Sequence, residues 1–266
     1  MFHDGYPVHT HTNCSNCFQF QRTHGGKLAL CKACGVDMYC SKECQVAHWP
    51  VHKSACKAHK ADRRRIADKT GLDHALPDLQ AWIRYYDAPL KNCAVAAMRL
   101  PERGHTERQC VLGVELYHKG DEAAKLPLHD RFEVRSVGLR EPGDFPAGSV
   151  LNDLSEPYAA QCKRGAIELG GDFYGVLGIA FTVFFVPTGA AIPNSISEQV
   201  KYFAIDQATA QARLTRADWW ILFREYVKLG AKIKFCCGRL PGVEDVCCCG
   251  GWVHDAERRV RNHSML

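Results

Sequence analysis

Seven cysteines and one histidine stand in four pairs between residues 14 and 56 of this 266-residue chain. The pairs are Cys14 with Cys17, Cys31 with Cys34, Cys40 with Cys44, and His52 with Cys56. Thiolate and imidazole groups are the usual ligands of zinc, and eight of them suffice for two closed tetrahedral sites. The composition of this stretch therefore predicts two structural Zn²⁺ ions, although the spacing leaves open which pairs share an ion.

The spacing within each pair also predicts local structure. Two intervening residues, as between Cys14 and Cys17, place both sulfurs on one tight turn. Three intervening residues, as between Cys40 and Cys44, place both side chains on one face of a helix. We therefore expect the first two pairs on loops and the last two pairs on helices.

The segment from residue 39 to residue 56 carries a more specific pattern. Tyr-Cys-x3-Cys-Gln is followed by Trp49, and then by His-x3-Cys. Together with the two preceding Cys-x2-Cys pairs, it resembles the MYND-type zinc finger over residues 14–56. The 13 residues between Cys17 and Cys31 are more than we expect for that family, so the first loop departs from the family pattern.

The resemblance implies a cross-braced pairing of the ligands. One ion is then held by Cys14, Cys17, Cys40 and Cys44, and the other by Cys31, Cys34, His52 and Cys56. Pairing of neighbouring pairs along the chain is the alternative. The family pattern gives no ligand role to His48.

The expected fold of the finger is a short hairpin plus two short helices. Alternating residues around Gly25 and Gly26 predict the hairpin. Ser41 is a suitable N-cap for the first helix, and Pro50 suits the first turn of the second. We expect this second helix to continue through a basic run and to end before Gly71.

Gln45 and Trp49 form a candidate peptide-binding site. On a helix capped by Ser41 they lie at positions i and i+4, one position away from the ligand face. By resemblance, MYND fingers bind short proline-containing peptides through the glutamine and tryptophan at these motif positions. The resemblance thus implies a protein–protein interaction adaptor, in transcriptional regulation. The alternative is that Trp49 packs inward.

The net charge of +5 is uneven, because residues 1–70 carry 11 Lys and Arg against 5 Asp and Glu. Two Zn²⁺ ions and seven thiolates reduce the charge of this part to about +3. The remaining basic side chains, in the run of residues 53–65, make weak nucleic-acid binding the alternative function. They are Lys53, Lys57, Lys60, Arg63, Arg64 and Arg65.

Residues 1–13 have no apolar segment of the kind that a signal peptide needs, so we expect an intracellular protein, in the nucleus or the cytoplasm. The 14-residue uncharged run at 173–186 is too short to span a membrane and predicts a central strand, so we expect no membrane partner. Glycine, aspartate and proline at residues 70–77 mark a domain boundary. We expect residues 1–70 to be the finger with a basic helical extension, and residues 71–266 to be an α+β domain.

Two further readings concern the end of the chain. Cys236, Cys237, Cys247, Cys248, Cys249 and His254 lack a Cys-x2-Cys pair, so we expect buried thiols and no third zinc there. Asn262-His263-Ser264 resembles an element of SET-type lysine methyltransferases, which also carry MYND fingers. The Cys-x-Pro-Asn element expected after it is missing, and only 13 residues precede the finger. We therefore expect no methyltransferase activity, no catalytic residues and an adaptor that is not an enzyme.

Overall fold

The computed structural model describes residues 3–4, 13–19, 27–98, 110–210, 213–214, 219–230, 233–235 and 260–262. Its helices are α1 (Lys42–Thr70), α2 (Ala75–Tyr85), α3 (Asp87–Met98), α4 (Ser155–Leu169), α5 (Gln207–Ala210) and α6 (Trp219–Leu229). Its strands are β1 (His3–Asp4), β2 (Ala29–Leu30), β3 (Met38–Tyr39), β4 (Val111–His118), β5 (Phe132–Arg140), β6 (Phe173–Phe185), β7 (Ser195–Asp206), β8 (Arg213–Leu214), β9 (Ile233–Phe235) and β10 (Val260–Asn262).

The hairpin of the finger joins β2 to β3. Ala29 pairs with Tyr39 and Leu30 with Met38, in antiparallel register around the second Cys-x2-Cys pair. The predicted turn at Gly25 and Gly26 lies outside the described residues. The finger therefore has a short hairpin, and its described strands enclose the second pair of cysteines.

A single 29-residue helix, α1, replaces the two short helices expected from the sequence, so that prediction was wrong. Ser41 caps it by accepting a hydrogen bond from the Cys44 amide at 3.2 Å. Pro50 lies inside the helix and removes the amide that would bond the Val46 carbonyl. Both residues are exposed, so water can satisfy that carbonyl. Gly71, at φ 76°, ends the helix as expected.

The rest of the described chain packs helices against a four-stranded mixed sheet of order β5-β4-β6-β7. Strands β4 and β6 are parallel, and the other neighbouring pairs are antiparallel. The connection from β4 to β6 includes β5 and α4. The uncharged run at 173–186 is the central strand β6, which confirms that prediction.

The main core lies between the sheet and helices α2, α3 and α6. Helix α2 contributes Trp82 and its C-cap residue Tyr86. Strand β6 contributes Phe181 and helix α6 contributes Phe223, and all four side chains are fully buried. Ile66 of α1 belongs to the same core. A separate small core in the finger holds Cys14, Cys31, Tyr39 and Cys56.

A polar clamp joins α1 to the edge strand β7. Asp62 accepts hydrogen bonds from Arg65 and from the Ser197 hydroxyl, the latter at 2.6 Å. The Arg65 guanidinium also donates to the Ile196 carbonyl at 2.7 Å. The C-terminal half of α1 therefore packs with the sheet, while its N-terminal half carries finger residues.

Some sequence predictions fall outside the described residues. They concern Cys236, Cys237, Cys247, Cys248, Cys249, His254, His263 and Ser264. Among the described residues, no helix combines the length and the apolar character that crossing a membrane requires.

Candidate metal centre

The first cluster unites the first and third pairs of cysteines. Cys14 and Cys17 lie on a turn, Cys40 precedes α1, and Cys44 is in its first turn. The four sulfurs lie within 4.8 Å of one another. The Sγ atoms of Cys17 and Cys40 are 3.7 Å apart, and those of Cys40 and Cys44 are 3.4 Å apart.

The second cluster unites the second pair of cysteines with the His-x3-Cys pair further along α1. Cys31 and Cys34 come from the hairpin turn, and His52 and Cys56 from the helix. The Sγ atoms of Cys31 and Cys56 are 3.9 Å apart. The Cys34 Sγ atom lies 3.6 Å from Nε2 of His52.

These distances can be compared with those around a zinc ion. Zn–S bonds of about 2.3 Å in a tetrahedron separate two sulfurs by about 3.8 Å, and a nitrogen and a sulfur by about 3.6 Å. The measured separations are close to both values. The donor atoms and their spacing therefore fit two Zn²⁺ ions, as the sequence predicted.

Backbone amides surround the sulfurs of both Cys-x2-Cys turns. The Val36 amide donates to Cys34 Sγ at 3.5 Å. Burial raises the pKa of Cys14, but hydrogen bonds from the backbone of Cys17 and Cys40 outweigh it and lower the pKa to about 6. The backbone around Cys14 therefore favours its thiolate, the form that binds metal.

The residue after each Cys-x2-Cys pair has a left-handed backbone. It is Phe18 in the first turn, at φ 60°, and Gly35 in the second, at φ 70°. Their amides donate to the carbonyls of Cys14 and Cys31, at 3.0 and 2.8 Å. Two unrelated sequences thus adopt the same turn, and Phe18 does so despite its side chain.

Asp37 is a functional residue that the sequence reasoning missed. Its Oδ2 atom lies 3.0 Å from Nδ1 of His52. Because Nδ1 is held by this contact, the other ring nitrogen, Nε2, faces Cys34. A carboxylate behind a metal-binding histidine fixes its tautomer and raises its basicity. No spacing rule marks Asp37, because its partner is 15 residues further along the chain.

His48 faces the finger interior. Its Nδ1 atom shares a hydrogen bond of 3.0 Å with the Tyr39 hydroxyl, and its ring stacks on His52 with centroids 5.9 Å apart. It also forms a close group with Asp37 and His52. Since His52 already belongs to the second cluster, the contacts of His48 support the position of that ligand.

Gln45 and Trp49 lie on the outer side of α1. Gln45 is half-buried, and the Trp49 side chain is 40% exposed. The Trp49 ring meets His52 edge-on at 5.9 Å. Val46 and Val51, beside it, are 63% and 73% exposed. This part of the helix therefore presents apolar surface to solvent.

A cavity of about 210 Å³ lies between the hairpin turn and α2. Val36, His59, Arg63 and Pro77 line it, together with Arg84, whose guanidinium donates to the Gly35 carbonyl at 3.0 Å. Gln45 and Trp49 are not among the residues that line it. The candidate peptide site is therefore a surface separate from this cavity.

Helix α4 holds the other side of the finger. Arg164 donates to the Ser15 carbonyl at 3.0 Å, and its guanidinium lies 5.1 Å from the centre of the Phe18 ring. Asn13 donates to Glu168 at 2.8 Å. The first turn is thus attached to the sheet domain as well as to the metal cluster.

Comparison with known proteins agrees with this site. The family model described as the MYND finger matches residues 14–56. "SET domain and MYND-type zinc finger protein 6" of Schizosaccharomyces pombe is 43% identical over 51 residues, which are 19% of this chain and 10% of the relative. No solved structure matches the chain. Residues 14–56 are therefore a MYND-type zinc finger, and the aligned segment spans about a tenth of the relative's length.

Proposed function

We propose that the chain is a zinc-stabilised protein–protein interaction adaptor whose finger binds short proline-containing peptides. Transcriptional regulation is the proposed context. The observation that carries the proposal is the exposed position of Trp49 on the same helix that supplies three metal ligands. The peptide surface is then positioned by the metal clusters without being part of them.

The proposed role of zinc is structural. Cys14, Cys17, Cys40 and Cys44 bind one ion, and Cys31, Cys34, His52 and Cys56 bind the other, in a cross-braced arrangement. The close approach of each set of four supports this assignment. Four protein ligands leave no position for a reacting water, so these ions take no part in a reaction. We infer an adaptor without enzymatic activity, since the likeness to the SET-containing relative is confined to the finger.

The chemistry of the helix surface suits an extended peptide. The indole of Trp49 offers an apolar plate for a proline ring, and the Gln45 amide can pair with a peptide backbone. Val46 and Val51 extend the apolar surface on either side. Because the Trp49 ring rests on His52, the metal cluster limits its rotamers and lowers the entropy lost on binding.

A titration tests this proposal. The zinc-loaded chain is titrated with proline-leucine peptides, in parallel with Gln45→Ala and Trp49→Ala. Lys57→Ala, on an exposed part of the same helix, is the control. We expect both substitutions in the patch to weaken binding at least tenfold while zinc content stays at the wild-type level. Absence of peptide binding, or release of zinc by Trp49→Ala, would contradict the proposal.

The exposed basic residues of α1 favour the second candidate, binding to nucleic acid. Within the run of residues 53–65, the exposed ones are Lys53, Lys57, Lys60, Arg63 and Arg64. Arg65 is instead held by Asp62 and Ile196. Five cations without a base-reading element support only weak, salt-dependent binding through phosphates. A sub-micromolar, sequence-selective complex at physiological salt would favour this function over the first.

A further inference from the structure

A third group of metal-binding side chains lies away from the finger, where the start of α2 meets the end of β4. His74 is the N-cap residue of α2, Asp78 is in its first turn, and His118 is the last residue of β4. One donor atom of each side chain lies within 4.8 Å of the other two. Residues 74 and 78 share a helix face, and the strand brings the third residue from 40 positions further along the chain.

Both imidazoles converge on the same carboxylate oxygen. Nε2 of His118 is 3.4 Å from Oδ2 of Asp78, and Nε2 of His74 is 3.9 Å from the same atom. Bonds of 2.0–2.2 Å in a tetrahedral site separate two donor atoms by about 3.4 Å. The 3.4 Å separation matches that of a metal site, and the 3.9 Å separation is longer than it by 0.5 Å.

Hydrogen bonding within the group leaves one imidazole without a partner. The 3.9 Å separation of His74 Nε2 from Asp78 is too long for a hydrogen bond. This nitrogen is buried, and the described residues provide no other partner for it. A metal ion between the three donors accounts for its burial. Among the described residues, Nδ1 of His118 also has no hydrogen-bond partner.

Arg131 completes the arrangement from the other side of the carboxylate. Its guanidinium contacts Oδ1 of Asp78 and leaves Oδ2 to the two histidines. A hydrogen-bonded carboxylate of fixed orientation is typical of a metal ligand.

We propose that His74, Asp78 and His118 bind a divalent transition-metal ion, with the fourth coordination position left to water. A set of two imidazoles and one carboxylate suits Zn²⁺ and its neighbours in the first transition row. The site is independent of the finger and of peptide binding. It would link the start of α2 to the end of β4.

Metal content of the full chain tests the site. The protein is equilibrated with Zn²⁺, passed through a desalting column and analysed by mass spectrometry for zinc per chain. We expect His74→Ala and Asp78→Asn each to carry one equivalent less than wild type. His129→Ala is the matched control, because His129 also lies near a carboxylate, 3.5 Å from Asp130. Within the described part of the chain, His129 belongs to no group of residues that could hold a metal ion.

His74 is a suitable first substitution, since its side chain makes no capping hydrogen bond to α2. Circular dichroism and a melting curve show that the variant is folded. Equal zinc content in wild type, His74→Ala and Asp78→Asn would overturn the proposal. It would mean that the three side chains form a hydrogen-bonded group that binds no metal.

Cobalt distinguishes this site from any thiolate site. Dialysis against a weak chelator empties a three-ligand site before the four-ligand finger sites, and Co²⁺ is then added. For the wild type we expect visible absorption from bound Co²⁺ without a sulfur-to-cobalt charge-transfer band. We expect His74→Ala to lose this visible absorption. A spectrum that contains the sulfur band, or one unchanged in His74→Ala, would overturn the assignment.

Discussion

Asp37 determines which nitrogen of His52 faces the second cluster. Replacing it with alanine removes the partner of Nδ1, so the ring loses its orientation and some of its basicity. We expect Asp37→Ala to lower the zinc affinity of the second cluster by about 10–100-fold and to leave the first cluster unchanged. Competition with a coloured chelator measures both affinities. Asp73→Ala, at an exposed aspartate, is the control, and equal affinities in the two variants would exclude this role for Asp37.

Gly35 permits the left-handed turn that follows Cys34. A Cβ atom there would meet no atom within 4 Å, so only backbone strain opposes a side chain. We expect Gly35→Ala to cost about 1 kcal/mol, or roughly a fivefold loss of zinc affinity, by the same competition assay. Gly171→Ala is the control, since its Cβ also meets nothing and its backbone is not left-handed. An equal effect of both substitutions would show that strain at Gly35 is not the cause.

The ligand residues could be predicted from the sequence, and the residues that support them could not. Cysteine and histidine at these spacings have few other uses, and the resemblance to a known finger indicated the pairing that the structure brings together. Asp37 and Arg164 act through contacts that only the folded chain creates, since each partner is distant in sequence. Aspartates and arginines are also too common for their type alone to indicate a role.

At the scale of elements, α1 shows how local signals can mislead. Ser41 and Gly71 were recognised as the ends of the helical region, but Pro50 indicated a break between two helices. In the structure one helix continues through Pro50, and the two metal-binding clusters take residues from both sides of it, at Cys44 and at His52. The strand β6 was easier to predict, since an uncharged apolar run of its length fits a buried strand.

Pro50 is expected to reduce the stability of α1. Pro50→Ala restores the amide that bonds the Val46 carbonyl and removes the clash of the ring with that turn. We expect the free energy of unfolding of the zinc-loaded chain to rise by as much as about 3 kcal/mol. Chemical denaturation followed by circular dichroism measures the change. Val51→Ala, at the next exposed position, should change it by less than about 0.5 kcal/mol. A destabilised Pro50→Ala would mean that the finger requires the proline.

The finger is expected to unfold without metal. Its own core consists of three cysteines and Tyr39, which is too little apolar surface to offset the ordering of 43 residues. Binding of structural zinc supplies roughly 10–16 kcal/mol. We expect a strong chelator to collapse the amide NMR dispersion of an isolated 1–70 fragment, and added Zn²⁺ to restore it. Dispersion that survives the chelator would contradict a metal-dependent fold.

At the scale of the whole molecule, α1 belongs to both parts of the chain. Its first half carries the ligands Cys44, His52 and Cys56, and its second half places Ile66 in the core of the sheet domain. The Asp62 carboxylate reaches Ser197 across 135 residues of sequence. Such long-range pairs leave no local signal, which is why the sequence marked a boundary at residues 70–77 and could not show that the helix before it packs on β7.

The domain boundary between residues 70 and 71 can be tested with two fragments. The fragment 71–266 lacks Ile66, the Asp62–Arg65 clamp, and the Thr70 carbonyl that accepts from the Thr188 amide at 3.0 Å. The fragment 58–266 retains all three and still omits every metal ligand of the finger. The buried isoleucine and the charged hydrogen bonds together contribute about 2–5 kcal/mol.

We therefore expect urea unfolding of 58–266 to give a free energy about 2–5 kcal/mol above that of 71–266. Asp62→Ala in the longer fragment is the internal control, because it removes the clamp and keeps Ile66, and its value should fall between the two. Equal free energies for the two fragments would restore the boundary at residue 70. They would also show that the second half of α1 rests on the sheet without stabilising it.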